Sequence, residues 1–108
     1  MGAGTAPHAR VARWIARELG AILRARRVHE AYLFGSWARG EADALSDIDL
    51  IVVAPSARPF VERFRDYPEL LCAPTGIDLL VYTPDEFARE RRVNRFIRHA
   101  LRGARRVA

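Results

Sequence analysis

Hydrophobic residues at helical spacing open the chain. From Pro7 to about Arg27 the apolar positions recur every three or four residues, which predicts a helix with one buried stripe. The stripe consists of Val11, Ile15, Leu19, Ile22 and Leu23. Pro7 suits the first turn of this helix, because the amide hydrogen that proline lacks has no partner within a first turn.

Apolar runs rich in branched residues follow, at the length of β-strands. They predict strands at Ala31–Phe34, Asp47–Val53 and Ile77–Tyr82. Between the second and third strands, the pattern predicts a short helix over Phe60–Leu71 that is interrupted near Pro68.

The last predicted helix begins with several agreeing signals. Thr83 suits the N-cap, Pro84 the first helical position, and Glu86 the third position of a capping box. The helix should run to about Leu101 and bury Phe87, Val93, Ile97 and Leu101. The order of elements predicts an α+β fold (an α/β two-layer arrangement), in which helices pack on a small mixed β-sheet of three or more strands.

Length and composition limit the class of protein. The 108 residues, half of them hydrophobic, predict one globular domain over residues 1–108. No apolar run approaches the roughly 18 residues of a membrane span, and the N-terminal residues contain no apolar stretch typical of a secretion signal. Cys72 is the only cysteine, which excludes an intramolecular disulfide. We therefore expect a cytoplasmic protein with no membrane partner.

The charges are distributed unevenly along the chain, and all 18 basic residues are arginine. Residues 1–29 carry a net charge of +5, residues 30–84 carry −5, and residues 85–108 carry +5. This layout predicts two basic helices that flank an acidic centre, or a basic surface for an acidic partner. Because arginine is the basic residue along the whole chain, its abundance does not by itself indicate a nucleic-acid partner, and we do not expect one.

Two carboxylates stand at the head of the second predicted strand. Asp47 and Asp49 should share one face of it, because side chains alternate along a strand. Like charges this close are costly unless a cation neutralises them, and Asp78 in the third strand could join them. Oxygen ligands favour hard ions such as Mg²⁺, with Mn²⁺ as the alternative. Three carboxylates that hold two such ions suit an in-line attack on a phosphate.

A glycine–serine pair precedes these carboxylates. Gly35 permits a positive φ or a close backbone approach, and Ser36–Arg39 predicts a short helical turn. The free N–H groups of such a turn can bind phosphate, and Arg39 could reach the same anion. Each feature alone has a structural explanation, such as an ordinary turn or a surface acid. Together, and in this order, they favour a nucleotide site.

At this point the sequence resembles a known family. Gly35-Ser36, ten further residues and Asp47-Ile48-Asp49 match the GS-x10-D-x-D signature of the polymerase-β-like nucleotidyltransferases. The string GSWARGEADALSDIDL is similar to the minimal nucleotidyltransferases, which are the antitoxin partners of HEPN toxins, and IDLLVYTPDEF resembles the segment that carries the third carboxylate. The resemblance runs from about Val28 to Phe87.

The resemblance implies a role for each matching residue. In a single nucleotidyltransferase domain, Asp47, Asp49 and Asp78 would bind two Mg²⁺ ions and act in catalysis. Gly35, Ser36 and, less specifically, Arg39 would contact the nucleotide.

The resemblance also implies a reaction and a partner. AMP would pass from ATP to a tyrosine of a HEPN toxin ribonuclease, which silences the toxin. Larger relatives carry a second domain for the acceptor, so here a partner protein or a second copy of the chain should complete the site. Two alternatives remain: an acceptor that is a small molecule (an aminoglycoside, for example) or a nucleic acid, and a binding module that masks a toxin without chemistry.

Overall fold

The N-terminal helical stretch follows the predicted apolar stripe. The computed structural model describes residues 7–108; the first six residues, on which the expectation about a secretion signal partly depends, lie outside this range. The stretch comprises α1 (Pro7–Trp14), a π-helical segment (Ile15–Leu19) and α2 (Gly20–Ala25). It ends beside Arg27, which has a positive φ of 59°. The helix predicted for this region is confirmed.

The π-helical segment has a cause in the spacing of the stripe. The four buried residues of the stripe lie four positions apart: Val11, Ile15, Leu19 and Leu23. In an α-helix, a row with this spacing would rotate by about 40° at every step. A π-helical turn contains more residues, so it brings the row back towards the sheet.

Four strands form one mixed sheet in the order β3-β2-β1-β4. Their bounds are Glu30–Phe34 (β1), Ile48–Val53 (β2), Ile77–Tyr82 (β3) and Arg105–Arg106 (β4). β1 pairs with β2 and β4 in antiparallel fashion, and β2 pairs with β3 in parallel. The predicted mixed sheet with helices packed on it is therefore confirmed, and β4 is an additional edge strand that the hydrophobic pattern did not indicate.

The remaining helices are short. They are α3 (Gly35–Arg39), two 3₁₀ helices (Phe60–Asp66 and Pro68–Cys72), α4 (Pro84–Val93) and α5 (Arg95–Arg102). The interruption predicted near Pro68 lies between the two 3₁₀ helices.

The C-terminal helix is divided in two, which differs from the prediction. The capping box is confirmed: Glu86 N donates to Thr83 Oγ1, and Thr83 N donates to Glu86 Oε1. The helix stops at Asn94, whose side chain accepts from Ile97 N and caps α5. Val93, expected to be buried, is 62% exposed because it lies at the end of α4.

Helices cover both faces of the sheet. On the first face, Leu33, Leu50 and Val52 pack in a buried cluster with the N-terminal helical stretch. On the second face, Ile51 and Val53 pack in a cluster with residues of α4 and α5. Side chains alternate along each strand, so position 49 in β2 and position 78 in β3 belong to the second face. No helix in residues 7–108 is long and apolar enough to cross a membrane.

Candidate active site

The strand register places two of the predicted carboxylates next to each other. Asp49 is the direct partner of Asp78 in the parallel pairing of β2 with β3. Asp49 is also opposite Phe34, the last residue of β1. Asp47 lies just before β2 and is exposed, as is Asp78, whereas Asp49 is half-buried. The three acids therefore gather at one end of the sheet, where three strands meet.

Gly35 brings the predicted phosphate turn against Asp49. It has a φ of 71°, a conformation that residues with a side chain rarely adopt. A Cβ atom at this position would collide with the Asp49 carboxylate. Both reasons for a glycine that the sequence suggested, positive φ and close approach, thus hold at the same position.

A second glycine, Gly76, supports the site from the other side. A Cβ atom there would lie 2.7 Å from Asp47 Oδ1, and the Gly76 carbonyl accepts a hydrogen bond from Ile48 N at 2.9 Å. The sequence analysis did not single out Gly76. The signal that could have indicated it is its position directly before a strand that carries a candidate carboxylate.

The three acids influence one another electrostatically. Burial raises the pKa of Asp49 above its ordinary value, and the charge of Asp78 and a hydrogen bond with it raise this pKa further. The negative charge of Asp47 adds to the shift, while the positive charge of Arg39 opposes it. Such a cluster favours any bound cation that neutralises it.

The N-terminus of α3 presents the backbone groups expected of a phosphate turn. Phe34 has an extended backbone, after which the chain turns into the helix at Gly35 and Ser36. Within residues 7–108, no side chain caps this helix end. Its first N–H groups lack carbonyl partners inside the helix, so they can donate to an anion.

Arg39 lies at the other end of α3 and pairs with Glu41. Its Nε donates to Glu41 Oε1 at 2.9 Å, and the two side chains are 50% and 65% exposed. An ion pair this exposed contributes little, so an incoming phosphate could compete with Glu41. Arg39 is near enough to lower the pKa of Asp49, but the structure does not bring it into contact with the acids.

Trp37 ties the phosphate turn to the loop that leads into Asp47. The indole is 8% exposed, and its Nε1 donates to the carbonyl of Ser46 at 3.0 Å. Ser46 Oγ in turn accepts from Asp43 N at 3.0 Å, which closes a tight turn before β2. These contacts fix the loop between the Gly35-Ser36 pair and the acids.

The donor chemistry fits a hard divalent cation, although the described residues hold no ready-made metal cage. Among residues 7–108, no three acidic, histidine or cysteine side chains are already arranged around a metal position. The carboxylates are the oxygen donors that Mg²⁺ prefers, and a cation would offset the repulsion that raises the pKa of Asp49. Asp47 and Asp78 are exposed and have room to reorient.

Comparisons with known proteins bear on the family and the fold of the chain. A family model described as a nucleotidyltransferase domain matches residues 13–71, which is more than half of the chain. The matched range contains Gly35, Ser36, Arg39, Asp47 and Asp49, and it ends before Asp78.

A solved structure shares the fold. The crystal structure of a candidate nucleotidyltransferase from Sulfolobus solfataricus is 24% identical, with a TM-score of 0.55, over 82% of this chain and 84% of that chain. At this identity the similarity shows the fold alone. No curated protein matches the chain. On the strength of the family match, the chain belongs to the nucleotidyltransferase domain family.

Proposed function

We propose that the protein transfers AMP from ATP to a hydroxyl group of a partner protein, namely a tyrosine of a HEPN-type toxin, with Mg²⁺ as the cofactor. The observation that carries this proposal is the direct pairing of Asp49 with Asp78, packed against Gly35 at the head of the phosphate turn. Acids gathered beside an anion-binding turn suit a metal nucleotide better than they suit a simple binding surface.

The residues of the proposed site have separate roles. The backbone of Gly35 and Ser36 holds the phosphates of ATP, with Arg39 at their side. Asp47, Asp49 and Asp78 would hold Mg²⁺, which, when bound, neutralises charge that develops on the phosphates. The acceptor oxygen forms a bond to the α-phosphorus, the bond to the bridging oxygen breaks, and pyrophosphate leaves. Asp78, on the acceptor side, takes the hydroxyl proton.

Transfer of AMP offers a physical reason for neutralising a ribonuclease toxin. The added group is bulky and negatively charged. On a surface that must approach RNA phosphates, it would repel the substrate. The antitoxin role therefore follows from the product of the reaction and needs no permanent complex.

Intact-mass analysis tests the proposal. The chain is incubated with ATP, Mg²⁺ and the product of the neighbouring gene, with the Asp47→Asn/Asp49→Asn double variant as control. We expect the partner to gain the mass of one AMP or a multiple of it, and we expect no gain with the double variant.

Other outcomes would replace the proposal with an alternative. If the double variant still neutralised the toxin in cells, masking without chemistry would explain the antitoxin role. If kanamycin or an RNA oligonucleotide accepted AMP rapidly while the partner did not, the acceptor would belong to a different class.

A further inference from the structure

We propose that the basic face of α5 binds the β- and γ-phosphates of ATP, the part of the nucleotide that leaves as pyrophosphate. This inference rests on the proposed function and adds a binding surface to it. The basic face consists of Arg95, Arg98, His99 and Arg102, which line a cavity of about 350 Å³. Because these residues follow one another at spacings of one, three and four positions, they lie on the same side of the helix.

The opposite side of α5 is the side that packs on the sheet. Ile97 and Ala100 are buried in the cluster of the second face, and Leu101 packs against the same cluster. With 3.6 residues per turn, the mean direction of the four basic side chains is nearly opposite to that of these apolar ones. All four basic residues are exposed. The basic face is therefore open to a ligand from solution.

Two contacts place α5 alongside the proposed phosphate turn. Near the N-terminus of α5, the ring of Phe96 meets the ring of Phe34 edge-on, with centroids 5.9 Å apart, and Phe34 directly precedes Gly35. Just after α5, a Cβ atom at Gly103 would lie 3.9 Å from Cγ of Arg39, the last residue of α3. Both ends of α5 thus lie next to the two ends of α3.

The same contacts bring α5 to the border of the candidate active site. Phe34 is the direct strand partner of Asp49, so the two side chains are neighbours on the second face, where α5 also packs. Arg39 is near enough to Asp49 to influence its charge. A nucleotide whose metal-binding part lies at the acids therefore has α5 beside it.

The arginines of this face have no anionic partner within the described chain. α5 contains no acidic residue, and no carboxylate in residues 7–108 forms an ion pair with Arg95, Arg98 or Arg102. Arg102 directly precedes Gly103, the residue next to Arg39. Cations gathered in this way repel one another, and a bound anion relieves the repulsion. The surface is the counterpart of the acid cluster, with the opposite charge.

The β- and γ-phosphates of ATP suit this position and this chemistry. Guanidinium groups bind phosphate oxygens through paired hydrogen bonds. When the bond between the α-phosphorus and the bridging oxygen breaks, the oxygen keeps the electron pair, so negative charge grows on the departing pyrophosphate. Fixed cations beside that group stabilise this charge. The basic face would thus contribute both to the binding of ATP and to the departure of pyrophosphate.

Two other anions fit the surface less well. A nucleic-acid strand needs a continuous basic track, but the other basic cavity, which Arg10 and Arg17 help to line, belongs to the helical stretch on the first face. The sheet separates the two. An acidic protein surface is disfavoured under the proposed function, because the acceptor tyrosine would lie on a surface that approaches RNA phosphates.

Calorimetric titration tests the basic face without the acceptor. One ligand is an ATP analogue with a methylene group between the α- and β-phosphorus, which cannot release pyrophosphate, and the other is AMP; Mg²⁺ is present in both titrations. We expect Arg95→Gln/Arg102→Gln to weaken binding of the analogue by a factor of about ten or more, since charge-assisted contacts are lost. Binding of AMP, which lacks both phosphates, should change by less than about twofold.

A matched variant controls for the change in net charge. Arg17→Gln/Arg24→Gln also removes two exposed arginines seven positions apart, but from the helical stretch on the first face. It should bind the analogue as the parent does. Equal losses in the two double variants, no loss in either, or an equal loss for AMP and the analogue would overturn the proposal. The proposal would also be wrong if Arg95→Gln/Arg102→Gln weakened binding of an RNA oligonucleotide and not of the analogue.

The two proposals fail in different ways. If the α5 double variant lost affinity for the analogue and the parent transferred no AMP to the partner, the proposed function would be wrong and the assignment of the basic face would stand. If the parent transferred AMP and the α5 double variant did so with the same rate and the same KM for ATP, the function would stand and the assignment of the basic face would be wrong.

Discussion

Gly35 is the residue on which the shape of the candidate site depends most directly. Its positive φ turns the chain from β1 into α3, and its lack of a side chain leaves room for the Asp49 carboxylate. The two requirements are separate in origin: one is local and the other comes from a strand elsewhere in the sequence. Gly40 meets only the first, with a φ of 75° and open space where a Cβ atom would lie.

This difference yields a prediction with an internal control. Gly40→Ala should cost about 1–2 kcal/mol of stability, because the backbone is strained and nothing collides. Gly35→Ala should cost more and should also reduce transfer by at least an order of magnitude, because Asp49 must move. Thermal denaturation and the mass assay measure both effects. Equal losses of transfer activity in the two variants would mean that the close approach is unimportant.

Asp49 gives a second prediction at this scale. Asp49→Asn removes one charge from the cluster that raises its pKa, so the protein without metal should be as stable as the parent or slightly more stable. Transfer of AMP should fall by several orders of magnitude, since the acid is proposed to hold Mg²⁺. A variant with near-normal turnover would refute the assignment of Asp49 as a ligand of Mg²⁺. A clear loss of stability would show that repulsion among the three acids does not destabilise the protein without metal.

At the scale of elements, one ion pair joins the first 3₁₀ helix to the start of α4. Arg63 is 7% exposed, its Nη1 lies 2.5 Å from Glu86 Oε1, and the same nitrogen donates to the carbonyl of Val81. Glu86 also closes the capping box with Thr83. The pair therefore holds together the first 3₁₀ helix, the edge of β3 and the helix that follows it.

This pair predicts how stability depends on pH. The hydrogen bond with Arg63, and then that with the Thr83 backbone, lower the pKa of Glu86 from 4.5 to about 2. The stabilisation is therefore present above pH 4.5 and is lost as the pH falls towards 2. The full shift would correspond to roughly 3 kcal/mol, but Glu86 is 43% exposed, and solvent screening reduces this to about 1 kcal/mol.

Urea denaturation between pH 6 and pH 2.5 checks this. Glu86→Gln should remove part of the acid-dependent loss of stability. Glu62→Gln is the control, because Glu62 pairs with Arg65 only at 3.5 Å and both side chains are exposed. If both variants had the same pH dependence as the parent, the Arg63–Glu86 pair would not stabilise the folded state.

At the scale of the whole molecule, the end of the described chain completes the sheet. Val107 N donates to the carbonyl of Ala31 at 2.9 Å, and Ala31 N donates to the carbonyl of Ala108 at 3.2 Å. Val107 and Ala108 also pack on the buried cluster of the first face. Together, β4 and the two residues that follow it thus cover the edge of β1, the strand that leads into Gly35.

Removal of residues 105–108 should therefore destabilise the fold. The pairing of β4 with β1, two further backbone hydrogen bonds and the apolar contacts are lost, for which we expect about 2 kcal/mol or more. Arg105→Gln keeps the strand and should change the stability by no more than about 0.5 kcal/mol. Denaturant midpoints compare the two. A truncated chain as stable as the parent would show that residues 105–108 do not stabilise the edge of β1.

The uneven distribution of charge along the chain is explained by where each segment lies in the fold. The basic N-terminal segment forms helices on the first face, and the basic C-terminal segment forms α5, most of α4 and the edge strand β4. The acidic middle segment contains the other three strands of the sheet. The two basic helical regions predicted around an acidic centre are therefore observed. Their arrangement leaves the acids exposed at one end of the sheet.

Local features of the chain were predictable from the sequence because neighbouring residues determine them. The capping box at Thr83, the strand at Ile77–Tyr82 and the turn at Gly35 each depend on a few adjacent side chains and backbone angles. The spacing from Gly35-Ser36 to Asp47 and Asp49 likewise lies within one continuous segment. For these features, the type of residue and its position were sufficient evidence.

Tertiary structure alone decided the features that join distant segments. The parallel register that pairs Asp49 with Asp78, the contact of Gly76 with Asp47 and the pairing of β4 with β1 all depend on how strands meet. The break at Asn94 belongs to the same group, since α5 turns to bury Ile97 against the sheet. A hydrophobic pattern states which residues are buried, but it does not state against what. For that reason the acids could be listed from the sequence, while their spatial neighbours could not.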